Sequence, residues 1–301
     1  MDLRAKLPDA GETVLLYGTT PPRLGTSPDN VAAAAEKLAS RLAGLSLDGV
    51  VLYDIQDETG RTQLPRPFPF VGTLDPRDYA KRFRLPAIVY KALGMMDERE
   101  WRAWLAQSKG DVQFVSVVGR PSRKAYPLAL SRAIRIAAGT EDFVVGGVVI
   151  AERHDAERSE AARLLAKGIE GCGYFISQTV YQAAPTQRLL ADYLRDCRGA
   201  GLAPKRIILT FAPCGREKTL AFLRWLGVNV PPDTERAIFG SADPLARSIQ
   251  VCCDNLRRIL DGAYASHIPL GVNVESVSIN RDEIDASIDL FHALKEVLAG
   301  R

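Results

Sequence analysis

The stretch that decides the fold is FVVGGVVIAERHDAERSEAARLLAKGIEGCGYFISQTVY, residues 143–181. It opens on valines around a glycine pair, passes through a charged segment into the amphipathic EAARLLAKGIEGC, and closes on a second apolar run, GYFISQTVY. Both runs are nearly continuous rather than alternating, as in strands covered on both faces. The segment between them is long enough for a crossover helix, and two strands joined that way lie parallel.

Working outward, the same unit repeats. Further apolar runs stand at 13–17 (TVLLY), 49–55 (GVVLYDI), 85–92 (LPAIVYKA), 112–119 (VQFVSVVG), 206–213 (RIILTFAP) and 270–279 (LGVNVESVSI). Helical patterns fill the intervals, and a last one, RDEIDASIDLFHALKEVLAG, ends the chain. Ser27 or Asp29 and Asp97 stand where helix N-caps are needed, and Gly199 and Gly201 where one helix should close. Eight strand–helix pairs in 301 residues predict a single-domain (β/α)8 TIM barrel over residues 1–301. An open doubly wound sheet would carry a GxGxxG turn after an early strand, and the sequence has none.

With 47% hydrophobic and 25% charged residues, a mean hydropathy of −0.05 and a net charge of +3, the composition is globular and gives no reason to expect nucleic acid. The N-terminal MDLRAKLPDAGE lacks the apolar segment of a secretion signal, and no run of ~18 apolar residues offers a membrane span. A cytoplasmic protein with no membrane partner is the expectation. Five cysteines without CxxC spacing and three histidines without HExxH or HxH spacing predict reduced thiols and no metal site.

In a barrel of this kind the working residues lie at the C-terminal strand ends. Here these include Gly18–Arg23, the DIQDETGR segment (54–61), Lys91, Gly119–Ser122, Ala151–His154, Gln178, Tyr181, Glu275 and Arg281. The segments TTPPR (19–23), GGVVIAERH (146–154), LLAKGIEGCGYFISQTVY (164–181), RIILTFAPC (206–214) and INRDE (279–283) fall in order on the predicted strand ends. As a set the chain resembles the methylenetetrahydrofolate reductase family, whose corresponding segments read FFPPR, GVAxYPExH, LxxKxxAGAxFxITQxFF, IxPGIMPI and LNR. The eleven-residue interval from Lys167 to Gln178 is the family's as well.

The resemblance implies a flavin-containing barrel that transfers hydride to the one-carbon unit of a tetrahydrofolate. It places His154, Glu160 and Lys167, with Thr59, Gly119 and Arg120, at FAD, and Gln178 at the pterin ring of a folate-type substrate. Gln56, Tyr181, Glu275 and Arg281 would complete the substrate cavity. Family members commonly self-associate, so a homo-oligomer is implied too.

Two departures change the expected chemistry. The family's acid on the first strand, in SFEFFPPR, is here Gly18. The family's aspartate after the fourth strand is here Arg120, a reversal of charge. The first leaves the reaction without its proton donor. Asp57 and Glu58 are the first candidates to replace it: were the second strand to continue to Glu58, Asp54, Gln56 and Glu58 would share one side, and a carboxyl in a partly apolar mouth titrates high enough to serve as an acid. Glu275 is the next. Alternatively the DIQDETGR acids are solvated, or pair with Arg61, Arg66 and Lys91. The second departure leaves two routes open, hydride passing through FAD or directly from NAD(P)H. A barrel that binds folate without reducing it is the alternative. PRPFPF (65–70) reads as a rigid loop over the barrel mouth.

Overall fold

A computed structural model describes residues 2–57, 62–119, 127–155 and 157–300. Among them eight parallel strands close into a barrel in chain order: β1 (Val14–Thr19), β2 (Gly49–Leu52), β3 (Ala87–Ala92), β4 (Phe114–Val118), β5 (Val144–Val149), β6 (Tyr174–Thr179), β7 (Arg206–Phe211) and β8 (Leu270–Glu275). The helices are α1 (Leu3–Lys6), α2 (Pro28–Leu42), α3 (Pro76–Ala80), α4 (Glu98–Ser108), α5 (Leu130–Ala138), α6 (Glu160–Ile169), α7 (Ala183–Gly199), α8 (Glu217–Trp225), α9 (Pro232–Phe239), α10 (Pro244–Leu260) and α11 (Arg281–Ala299). The TIM-barrel expectation from the repeated runs is therefore met. Ser27 caps α2, and Asp97 forms a reciprocal capping box with Glu100 at the start of α4.

Alternate residues divide each strand between two cores. Val50, Leu52, Val89, Val115, Phe175, Ile207, Leu209 and Val272 point outward onto the helices, while Val14, Leu16, Val51, Ile88, Phe114, Tyr174 and Ile208 fill the interior. The interior takes large rings only where an opposing residue is small. A Cβ on Gly146 of β5 would lie 2.2 Å from the ring of Tyr174, so that glycine is the space the tyrosine occupies. All five cysteines are buried and unpaired. No helix among the described residues is long and apolar enough to cross a membrane.

The N-terminal segment plugs the bottom of the barrel. Leu3 and Leu7 join the interior cluster, and the buried guanidinium of Arg206 donates to the carbonyls of Leu7 (2.9 Å), Lys6 (3.0 Å), Leu270 (2.6 Å) and Asp9. Burial pushes the Arg206 pKa down to about 10, with Asp9, Asp48 and Glu12 opposing.

Two excursions shape the opposite end. β2 stops at Leu52 and residues 53–57 are not strand, so Asp54 and Gln56 do not share a strand face, while Glu58 lies outside the described residues. Residues 62–75 form an irregular strap before α3, and Phe68 packs edge-on against Phe222 of α8 with ring centroids 5.4 Å apart. β1 and β8 separate β2 from β7 around the barrel. PRPFPF thus lies against α8, the helix that follows β7. Between β7 and β8, the wall helix α10 is preceded by α8 and α9, which pack with Tyr181, Cys214 and Val277 in a third cluster at the rim.

Arg206→Met leaves a set of buried carbonyls without donors and should lower unfolding free energy by about 3 kcal/mol or more. Urea denaturation followed by circular dichroism measures this, and a loss under about 1 kcal/mol would show that the plug does not depend on the guanidinium.

Candidate active site at the barrel mouth

The space beside Gly18 on β1 is filled from the end of β2. A Cβ on Gly18 would lie 2.5 Å from the hydroxyl of Tyr53 and 2.9–3.0 Å from its ring. Tyr53 follows β2 and keeps the inward parity of Val51. Its ring meets Tyr90 of β3 edge-on at 4.9 Å, and its hydroxyl accepts from Asn273 Nδ2 at 2.9 Å. Asn273 Nδ2 also donates to Thr210 Oγ1 at 3.2 Å, while its own Oδ1 is buried with no partner among the described residues.

Above this layer stands Glu275, the register partner of Gly18 on the neighbouring strand. Its Oε1 accepts from Thr179 Oγ1 at 3.1 Å, and the Tyr53 hydroxyl faces it as well. Burial pushes the Glu275 carboxyl above its ordinary range, and the contacts from Tyr53 and Thr179 pull it only partly back. Burial and the nearby Glu275 carboxylate in turn raise Tyr53 well above the usual phenol value, so Tyr53 stays a protonated donor. A carboxyl whose proton affinity is raised by burial, beside a phenol and a hydroxyl, is equipped to act as a general acid.

The other expected residues fall in three places. Glu58, Thr59 and Arg120 lie outside the described residues. Of the remaining β2-end acids, Asp54 is tied down: its Oδ2 accepts from the backbone amide of Ala92 at 2.9 Å and lies 3.5 Å from Lys91 Nζ. Asp57 is exposed and Gln56 partly buried in the strap. Gly119 directly follows β4 at the rim.

Gln178 does not sit beside Glu275. The pairing of β6 with β7 shifts between Ile176 and Thr179, which turns Thr179 into the barrel and lets Gln178 Nε2 donate to the carbonyl of Leu226 at the end of α8 (2.5 Å). Tyr181 is buried, its hydroxyl donating to the Ala212 carbonyl at 2.6 Å, so it joins the rim loops rather than lining an open cavity. Arg281 points to solvent and lies 3.4 Å from Asp285 on its own helix. A neighbour not anticipated from sequence, Glu283, is buried and accepts from Gly215 N, Thr219 Oγ1 and Ser278 Oγ, pinning the β7 and β8 loops together.

His154, Glu160 and Lys167 cluster on the flank of β5. Lys167 Nζ donates to the Val148 carbonyl at 2.8 Å, and burial lowers its pKa. Glu160 is buried against Arg163 Nη1 (3.1 Å) and the Ile150 amide (3.5 Å). His154 Nε2 is 2.8 Å from Asp192 Oδ2, and its Nδ1 is buried without a partner among the described residues. With their charged groups turned to partners inside the wall, these three do not fit the ribose and phosphates of a flavin dinucleotide. Among the described residues no cluster of His, Cys, Asp and Glu could hold a metal ion.

Comparison with solved structures finds an uncharacterized protein from Clostridium thermocellum that binds two copies of 5-methyl-5,6,7,8-tetrahydrofolic acid. It is 31% identical, with 99% of each chain covered and a TM-score of 0.82. Oxaloacetate acetylhydrolase with its product oxalate matches at 15% identity over 90% of this chain and 78% of that one, TM-score 0.48. The Bacillus cereus spore cortex-lytic enzyme SleL matches at 8% identity over 94% and 74%, TM-score 0.49. No protein-family model and no curated protein matches the chain.

Two outcomes are expected. Gly18→Ala should cost about 1–3 kcal/mol by crowding Tyr53, and less in a Tyr53→Phe background, giving a coupling of at least about 0.5 kcal/mol in a double-mutant cycle. Strict additivity would mean that the two side chains do not compete for one space. For Glu275 the folded chain binds the proton more tightly than the unfolded chain. Its contribution is therefore full below the ordinary carboxyl value of 4.5 and lost as pH rises through the raised one. Glu275→Gln should remove that part of the pH dependence and stabilise the fold at neutral pH relative to the wild type. Denaturation curves across pH that superimpose for the two proteins would contradict a buried, shifted carboxyl.

Proposed function

The chain belongs to the same family as the Clostridium thermocellum protein, and from that kinship we infer that its barrel mouth binds a reduced folate. The observation that carries this reading is the polar layer of Tyr53, Asn273, Thr179 and Glu275 set into an otherwise apolar barrel end. The pterin edge of a reduced folate is rich in N–H donors. The layer offers acceptors to match: the Glu275 carboxyl and the Asn273 Oδ1, which has no partner among the described residues.

We further propose that the protein is an oxidoreductase acting on the one-carbon unit of that folate, a diverged relative of the methylenetetrahydrofolate reductases. Protonation by Glu275 of the bridging amine would break one carbon–nitrogen bond and leave an iminium, which accepts hydride from NAD(P)H. The proton lost returns to Glu275 from solvent at the mouth. Tyr53 and Thr179 orient the carboxyl. Placing the acid on β8 answers the absence of one at Gly18, because the two positions are paired in the ladder. The flank residues His154, Glu160 and Lys167 give no support to a flavin, so direct transfer is the favoured route.

Equilibrium dialysis should show binding of 5-methyltetrahydrofolate, and NAD(P)H should be oxidised in the presence of methylenetetrahydrofolate. Glu275→Gln should cut that turnover by about 100-fold or more while changing folate affinity little. Absence of folate binding would overturn the reading. Binding without turnover would overturn the reductase assignment and leave a folate-binding barrel.

A further inference from the structure

Outside the mouth a cavity of about 820 Å³ opens between the strap and the outer faces of α8 and α9. This is within the size range of small-molecule sites, roughly 300–1,000 Å³. We propose that it is a second reduced-folate site, so that the chain binds two molecules of the same ligand class. The proposal rests on the folate reading of the mouth.

The helical period of α8 gives its sides different duties. Thr219 and Leu223 are buried beneath it. Phe222 and Trp225 face the strap, where the Arg66 guanidinium lies 4.5 Å from the Trp225 ring. Glu217, Leu220, Ala221 and Arg224 turn to the cavity, with Phe239 of α9 opposite. On the strap side Leu64 is 53% exposed although it lines this space, an apolar surface that a bound molecule would cover.

The charges match the two ends of a folate. Arg224 Nη2 and Nη1 hold Glu235 at 2.6 and 3.3 Å, so this pair fastens α8 to α9 and leaves little net charge. Glu217 has no side-chain partner among the described residues, and Arg236, next to Glu235, is largely exposed with only Asp233 of its own turn. Glu217 stands seven residues before Arg224, about 10 Å along the helix. A carboxylate thus faces one end of the cavity, where a pterin can present its N–H groups. A guanidinium faces the other, where the glutamyl tail can place a carboxylate. The apolar middle suits an aminobenzoyl ring. The related protein binds two copies of 5-methyltetrahydrofolic acid.

Titration calorimetry with 5-methyltetrahydrofolate tests this on the full chain. The wild type should take up two molecules. Ala221→Trp, at an exposed position, should fill the cavity and reduce the number to one. Arg236→Glu should weaken one of the two sites by more than tenfold and leave the other unchanged. Two molecules retained in Ala221→Trp, or one molecule bound by the wild type and kept by Ala221→Trp, would overturn the second site and leave the mouth reading intact. One molecule bound by the wild type and lost in Ala221→Trp would instead overturn the mouth reading. A wild type that binds none would overturn both.

Discussion

The mouth of this barrel is organised around one phenol. Tyr53 can turn inward only because position 18 has no side chain. Once there it packs against Tyr90, accepts from Asn273 and faces Glu275. The same space cannot hold both a β1 side chain and this ring. The carboxyl of the site therefore stands one strand away, on β8 at the level of Gly18. Its surroundings are apolar below and hydrogen-bonding beside, which raises its affinity for a proton without leaving it unpartnered.

The rest of the fold positions that layer. The N-terminal plug and Arg206 close the far end, so the interior is accessible from one side only. At the open end, the helices inserted before α10 bring Leu226 to Gln178, while the buried Glu283 ties the loops after β7 and β8 to each other. The strap clasps α8 through aromatic and cation–π contacts, which are strongest where water is excluded. One helix thus borders both the mouth and the outer cavity.

Much of the architecture was legible because it is written in local repeats: eight apolar runs at regular spacing admit few closures. The missing side chain at Gly18 was legible too, and so was Glu275 as a strand-end carboxylate. Tyr53 and Asn273 were not picked out, although each continues the inward parity of its strand, and an amide in the apolar LGVNVE run must find a hydrogen-bond partner when buried. The acid-rich DIQDE segment suggested a longer β2, whereas Asp54 leaves the ladder to meet Lys91 and the Ala92 amide on β3. The register shift in β6 exchanged the surroundings expected for Gln178 and Thr179, and a two-residue period cannot reveal such a shift. The wall partners of His154 and Lys167 were hidden for another reason. Asp192 and the Val148 carbonyl lie on other elements, brought close only by the fold.

The most direct measurement is a crystal structure of the protein with 5-methyltetrahydrofolate. The account predicts a pterin ring at the barrel mouth, with N–H groups in hydrogen-bonding range of Glu275 and of Asn273 Oδ1, and Tyr53 still seated over Gly18. A folate held only outside the barrel, with the Tyr53–Glu275 layer untouched by ligand, would contradict it.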